Sequence, residues 1–133
     1  MDSVRKPRGS LEIRTLAMPK DTNPNGDIFG GWVLSQMDIA GGTAAFARAG
    51  GRVATVAVDS MTFHRPVSVG DVLNCYAEVI RVGRSSLAVR IEAWSERRHT
   101  GEMLLVTEGT FTFVAIGEDR RPRPVDPPAT ATV

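Results

Sequence analysis

The sequence predicts an α+β fold in which a long, highly curved antiparallel sheet wraps around one central helix. Three observations predict it. One long apolar segment, Ile28 to Ala47, is dense in glycine and alanine. Four long segments after it alternate β-branched or aromatic residues with polar ones. The links between those segments are short and turn-forming.

Taken in order, residues 1–10 carry Arg5, Lys6 and Arg8 without the apolar run of a secretory signal, and read as a flexible basic tail. The domain proper spans 11–116 and opens with a strand at Leu11 to Ala17. The run Pro19 to Trp32 (PKDTNPNGDIFGGW) is a loop in which Gly30-Gly31 opens the helix. From Gly30 to Arg48 that helix would be roughly 28 Å long. Val33, Met37, Ala40, Ala44 and Ala47 recur as one apolar stripe, and the neighbouring stripe (Leu34, Asp38, Gly41, Ala45) is small or apolar apart from one carboxylate. Ser35, Gln36, Asp38 and the glycines argue against a membrane span. After Gly50-Gly51, strands are expected at Val53 to Arg65, Val72 to Val82, Ser85 to Arg97 and Met103 to Ile116. The links Ser68 to Asp71, Gly83-Arg84 and His99 to Gly101 predict an antiparallel meander. Residues 117–133, rich in proline, read as an extended or disordered tail.

Strands of this length reach roughly 35–45 Å, enough to curl around the helix. The sheet keeps exposed edges and the helix an uncovered flank. Pairing with a second copy relieves both, so a homo-oligomer is expected.

Composition removes several function classes. Sixteen basic and fifteen acidic side chains leave a formal charge of +1 over 133 residues, against a nucleic-acid partner. One cysteine, Cys75, makes no internal disulfide and, with two histidines, no Cys/His zinc site, which fits a reducing, cytoplasmic setting. The chain lacks a Walker loop, a strand–GxGxxG–helix unit and a GxSxG elbow.

The remaining chemistry lies around the helix. First-turn amides have no internal partner, and Gly30 and Gly31 let a ligand approach them, a geometry suited to a carbonyl oxygen that becomes negative. The competing reading is that Asn25 or Asp27 organises a turn and the glycines permit close packing. Asp38 has Leu34, Gly41 and Gly42 as helical neighbours and no Lys or Arg within a turn. A carboxylate withdrawn from water with no cation beside it is a candidate base; a solvated carboxylate is the alternative. His64 and His99 have no adjacent nucleophile and read as structural or solvated. The turn Gly83-Arg84-Ser85-Ser86 offers a guanidinium, hydroxyls and glycine-freed amides suited to phosphate, and is also an ordinary hairpin turn.

The run LAMPKDTNPNGDIFGGWVLSQMDIAGG, followed by GRVATVAVDSMTFHRPVSVGDV and VGRSS, closely resembles the bacterial YciA-type acyl-CoA thioesterases of the hotdog superfamily, over roughly Leu11 to Pro124. A looser likeness extends to the cytosolic acyl-CoA hydrolases of animals. The resemblance implies cleavage of acyl-CoA to free acid and CoA without metal or organic cofactor. It places Asp38 as general base or nucleophile, Asn23 as the amide that positions water or substrate, and Gly31, beside Gly30, as the amide that polarises the carbonyl. It further implies a site built across a dimer interface, with trimers of dimers as the common assembly. Arg65, Arg84, Ser85 and Ser86 are the candidates for CoA phosphates. Pro24 stiffens the loop. A thiolate leaves without a strong acid, so a site poor in His and Cys suffices. Two alternatives remain: an acyl-CoA binder without turnover, and a hotdog enoyl-CoA hydratase or dehydratase, which generally wants a histidine beside the carboxylate.

Overall fold

The computed structural model describes residues 5–127 of the chain. Strand β1 (Ser10–Leu16) is followed by a short 3-10 turn (Pro19–Asp21), helix α1 (Gly30–Ala49) and strands β2 (Val53–Phe63), β3 (Val72–Val82), β4 (Ser86–Glu96) and β5 (Met103–Ala115). All strands join one antiparallel sheet in the order β1-β3-β4-β5-β2. The sheet-around-helix architecture is therefore as expected.

The meander is correct for β3, β4 and β5 and needs correction for β2. Instead of lying beside β3, β2 pairs with β5, from Val53↔Ala115 to Phe63↔Thr107. Strand β1 holds the β3 edge, and the residues after it close that edge: Ala17 N–H donates to Asp71 O (2.9 Å) and Gly70 N–H to Ala17 O (2.9 Å). The segment from His64 to Asp71 is thus a crossover passing the helix start, where Ile28 N–H donates to Val67 O (3.0 Å). Gly70, at φ +92°, makes the turn back into β3.

Period-two alternation places Leu73, Cys75 and Ala77 of β3, Leu87, Val89, Ile91 and Ala93 of β4, and Phe111 and Phe113 of β5 in the core beneath α1. The helix buries Val33, Met37, Ala40, Gly41, Ala45 and Ala49. Its second half therefore departs from the expected stripe: Ala45 and Ala49 face the sheet, and Ala47 is exposed. Contact follows the i+4 ridge from Val33 through Met37 and Gly41 to Ala45 and Ala49, as expected for a helix lying across a twisted surface. Gly41 is required there, because a Cβ would run into Ile91 and Phe113.

The other face of the sheet holds an ion-pair cluster. Glu92 of β4 and Glu108 of β5 stand opposite each other in register. Arg5 reaches both, at 2.9 Å to Glu92 and 2.9 Å to Glu108, and Arg90 bonds both as well. Trp94 Nε1–H and Arg8 N–H complete the bonding of Glu92, whose side chain is 1% exposed. Arg5 and Arg8, read from sequence as part of a flexible tail, are thus bonded along this face. Near the other terminus, Val125 is buried and donates to Arg84 O (2.8 Å), Arg123 donates to Ala49 O (3.1 Å) and Asp126 pairs with Arg48. Residues 1–4 and 128–133 of the two expected tails lie outside the described residues.

Buried Asp71 fixes the crossover, accepting from Ser68 N–H, Ser95 Oγ, Arg98 N–H and Arg97 (2.6 Å). Burial pushes its carboxyl upward, but these hydrogen bonds outweigh burial and hold it below the usual range. The same balance applies to Glu92, through Trp94, Arg8 and Arg5. Arg5 hydrogen bonding brings Glu108 to about 2, with Arg90 adding to it against burial. All three carboxyls are depressed in the folded state, so their stabilisation is complete above the ordinary carboxylate range. It is lost as pH falls through their lowered values, which for Glu108 means from about 4.5 toward about 2. The thermal midpoint should drop steeply across that window, and Glu108→Gln should flatten part of the slope; an unchanged slope in that variant would remove Glu108 from this account.

Candidate active site

Asn23 organises the loop that leads into α1. Its Oδ1 accepts from Asn25 N–H (2.9 Å) and Asp27 N–H (3.2 Å), its own N–H donates to Asp27 O (2.7 Å), and its carbonyl accepts from Gly26 N–H (3.0 Å). The turn-forming role considered for Asn25 or Asp27 therefore belongs to Asn23. With Oδ1 occupied by two backbone donors, the free end of the amide is Nδ2, a donor.

The loop delivers the chain to Phe29, which caps α1 without a side-chain hydrogen bond. Trp32 and Val33 N–H reach Phe29 O, whereas Gly30 and Gly31 N–H have no hydrogen-bond partner among the described residues. A Cβ at Gly31 would meet nothing within 4 Å, so the approach to its amide is open. Beside this helix start lies a cleft of about 310 Å3, lined by Asn23, Gly30, Phe63, His64, Arg65 and Val106 among others. The start of the crossover forms one wall: Arg65 Nη1 donates to Leu105 O (2.9 Å), and His64 N–H to Val106 O (2.7 Å).

Asp38 stands elsewhere on the helix. It is half-buried, and Thr55 Oγ1 of β2 donates to its Oδ1 at 2.6 Å. No ion pair to Asp38 occurs among the described residues. Asp38 lies seven residues along α1 from Gly31, a rise of about 10 Å. Within one protomer the Gly31 amide and Asp38 are thus set apart along the helix. Next to Asp38 an apolar groove of about 460 Å3 runs along the helix over Ile39, Gly42, Thr43 and Phe46 to Arg52 and Val53.

Arg84, Ser85 and Ser86 form the β3–β4 turn, closed by Gly83 N–H to Ser86 O (2.8 Å). That turn flanks Val114 and Ala115, whereas the cleft adjoins Val106. Eight residues of β5 separate the two, roughly 25 Å. The structure thus gathers Asn23, Gly30 and Arg65 around one cleft beside Gly31, and leaves Asp38 and the Arg84–Ser86 turn apart from it. Thr55, unremarked in the sequence, carries no local signal; only the passage of β2 beside α1 brings it to Asp38. His64, read as structural or solvated, lines the cleft.

No helix among the described residues is long and apolar enough to cross a membrane. No group of three or more potential metal ligands occurs among them either.

A long curved antiparallel sheet around one helix is the hotdog architecture. The thioesterase superfamily model matches residues 25–102. The chain is 51% identical to the acyl-CoA thioester hydrolase YciA of Salmonella typhimurium over 122 residues, 90% of this chain and 92% of the relative. Against YciA of Escherichia coli it is 50% identical over 120 residues, 88% of this chain and 91% of the relative. The crystal structure of a hexameric thioesterase from Yersinia pestis superposes with a TM-score of 0.88 at 52% identity, covering 92% of this chain and 99% of that one. The chain belongs to the thioesterase superfamily, among the YciA-type acyl-CoA thioester hydrolases.

Proposed function

We propose that this protein hydrolyses acyl-CoA thioesters to free acid and CoA at a site completed by two subunits. The observation that carries the reading is the pairing of an uncapped, glycine-opened helix start with an Asn23 donor on one side, and a carboxylate without a cation, Asp38, on the other. The Gly31 N–H donates a hydrogen bond to the thioester oxygen as negative charge develops on it, with Gly30 leaving room for the substrate. Asn23 Nδ2 holds the water or the substrate. Asp38 of a second subunit takes the proton of the attacking water, or attacks the carbonyl itself to form a mixed anhydride that water then cleaves; in both cases CoA departs as a thiolate and the acyl group leaves as the free acid.

Two surfaces support the shared site. Among the described residues β2 pairs only with β5 and its other edge is free, with Val56, Val58 and Phe63 exposed. The α1 flank beside it exposes Ile39 and Phe46, at 52% and 55%. A second copy docked there covers both and carries its Asp38 toward the first copy's cleft. Relatives described as hexameric thioesterases support a trimer of such dimers. Arg65 in the cleft, and Arg84, Ser85 and Ser86 from a neighbouring subunit, would contact CoA phosphates. No cofactor, metal or nucleic acid takes part in this scheme. A cytoplasmic setting accords with Cys75, a free thiol that burial pushes up to about 12 and so makes unreactive.

A thiol-release assay over short, medium and long acyl-CoAs tests this reading, with equimolar CoA and free acid expected. Tight binding with no CoA released would establish a non-catalytic binder instead. The second reading is an enoyl-CoA hydratase, for which His64, one of the residues lining the cleft, is the candidate histidine. Mass spectrometry after incubation with crotonyl-CoA distinguishes it, because hydration adds water and leaves the thioester intact.

A further inference from the structure

We propose that the apolar groove beside Asp38 receives the acyl chain of the substrate and that Gly42, whose backbone lines it, sets the length of chain the site admits. The inference rests on the acyl-CoA reading for the identity of the ligand and on the groove itself for the role of Gly42.

Two adjacent glycines of α1 differ in why they are glycine. A Cβ at Gly41 would run into Ile91 and Phe113, so packing on the sheet requires its absence. A Cβ at Gly42 would make only an ordinary contact, 3.7 Å from the Phe113 ring. Glycine weakens a helix interior relative to alanine, and no packing among the described residues requires it at Gly42. The space it keeps open belongs to the groove of about 460 Å3. A glycine lines a groove with its backbone, so a side chain added at this position narrows it. Ile39 and Phe46, about one turn before and after Gly42, also line the groove and are exposed at 52% and 55%. Gly42 is therefore a notch between two large apolar side chains. The Thr43 hydroxyl donates to Ile39 O (2.8 Å), Val53 continues the apolar lining, and Arg52 is the only charged residue of it.

Position and direction select an acyl chain as the occupant. Asp38 and Gly42 lie about one turn apart on α1, a rise of about 6 Å. Val53, on the groove, is two residues along β2 from Thr55, whose hydroxyl bonds Asp38. The groove thus begins where the hydrolytic scheme places the thioester carbonyl. CoA leaves that carbonyl toward the cleft at the other subunit's helix start, so the acyl chain leaves it the opposite way, over the protomer that supplies Asp38. The second copy, lying over Ile39 and Phe46, roofs the groove and keeps water from an apolar chain inside it. At an advance of roughly 1.2 Å per carbon–carbon bond, a butyryl tail ends short of Gly42 and an octanoyl tail passes it.

Calorimetric titration of the intact protein with S-butyl-CoA and S-octyl-CoA, thioethers that cannot be hydrolysed, tests the assignment without requiring turnover. The parent should bind S-octyl-CoA the more tightly. Gly42→Leu should weaken S-octyl-CoA by about tenfold or more, because several methylene contacts are displaced, and leave S-butyl-CoA unchanged. Gly42→Ala, whose Cβ clears its neighbours, should raise the melting temperature and weaken S-octyl-CoA by about fourfold, the value of one methylene contact. The alanine variant carries the test alone if the leucine variant does not fold. Unchanged S-octyl-CoA affinity in either folded variant, or equal weakening of both thioethers, overturns the proposal. A Gly42→Leu chain that folds but loses its oligomeric state overturns it too, because the notch then seats the second copy and not the acyl chain. A parent protein that shows this chain-length pattern but releases no thiol from acyl-CoA defeats the hydrolase reading alone.

Discussion

Asp38→Asn should lower kcat for thiol release by on the order of 10²–10⁴, the usual contribution of a positioned base, with KM nearly unchanged. The fold should survive the change. Asp38 is half-buried on the helix flank, and its hydrogen-bond partner is the Thr55 hydroxyl at 2.6 Å. An asparagine Oδ1 accepts the same bond, so the local contact is retained while the proton-accepting charge disappears. No ion pair to Asp38 exists among the described residues, so none is broken and no arginine or lysine is stranded. The melting temperature and the oligomeric state should therefore match the parent within a few degrees, about the shift that 1 kcal/mol produces in a chain of this length. A variant that folds, assembles and hydrolyses acyl-CoA at the parental rate would falsify the role given to Asp38.

Local periodicity carried most of the fold. The alternation of Leu87, Val89, Ile91 and Ala93 against Arg90 and Glu92 marks both the strand and its core face, because side chains two apart share a face whatever the strand pairs with. Pairing partners are a different kind of information. The position of β2 depends on β1 already occupying the β3 edge, a contact between residues far apart in the chain that no window of sequence contains. The same limit hid the buried charges. Glu92 reads as the polar side of an amphipathic strand, and only the arrival of Arg5 and Arg8 from the start of the chain makes it a buried, bonded carboxylate. At the site, the loop around Asn23 and the glycines of the helix start were legible from residue type. That Asn23 itself organises the turn was not, because Asn25 and Asp27 have much the same turn chemistry and only hydrogen-bond geometry separates them. The relation of Asp38 to the cleft was legible in part, since helical rise alone already sets Gly31 and Asp38 about 10 Å apart.

That separation leads to the strongest test of a shared site. Asn23→Asp keeps the Oδ1 that accepts from Asn25 and Asp27 and removes the Nδ2 donor, so the loop is retained while the contact to water or substrate is lost. Alone, it should turn over acyl-CoA weakly, as should Asp38→Asn. If each site takes Asn23 from one subunit and Asp38 from its partner, a mixed dimer has one site with both changes and one with neither. Random exchange makes half of all dimers mixed, so about a quarter of the parental sites should return, a consequence of two-fold symmetry alone. If Asn23 and Asp38 of one protomer acted together, every site in the mixture would carry one change, and no activity would return however complete the exchange. Mass spectrometry of the intact assemblies verifies the exchange, and thiol release measures the recovery. Mutual pairing through the free β2 edge and the Ile39–Phe46 flank is the arrangement that favours recovery, because it covers the exposed apolar surface of both copies while bringing each Asp38 toward the other copy's open helix start.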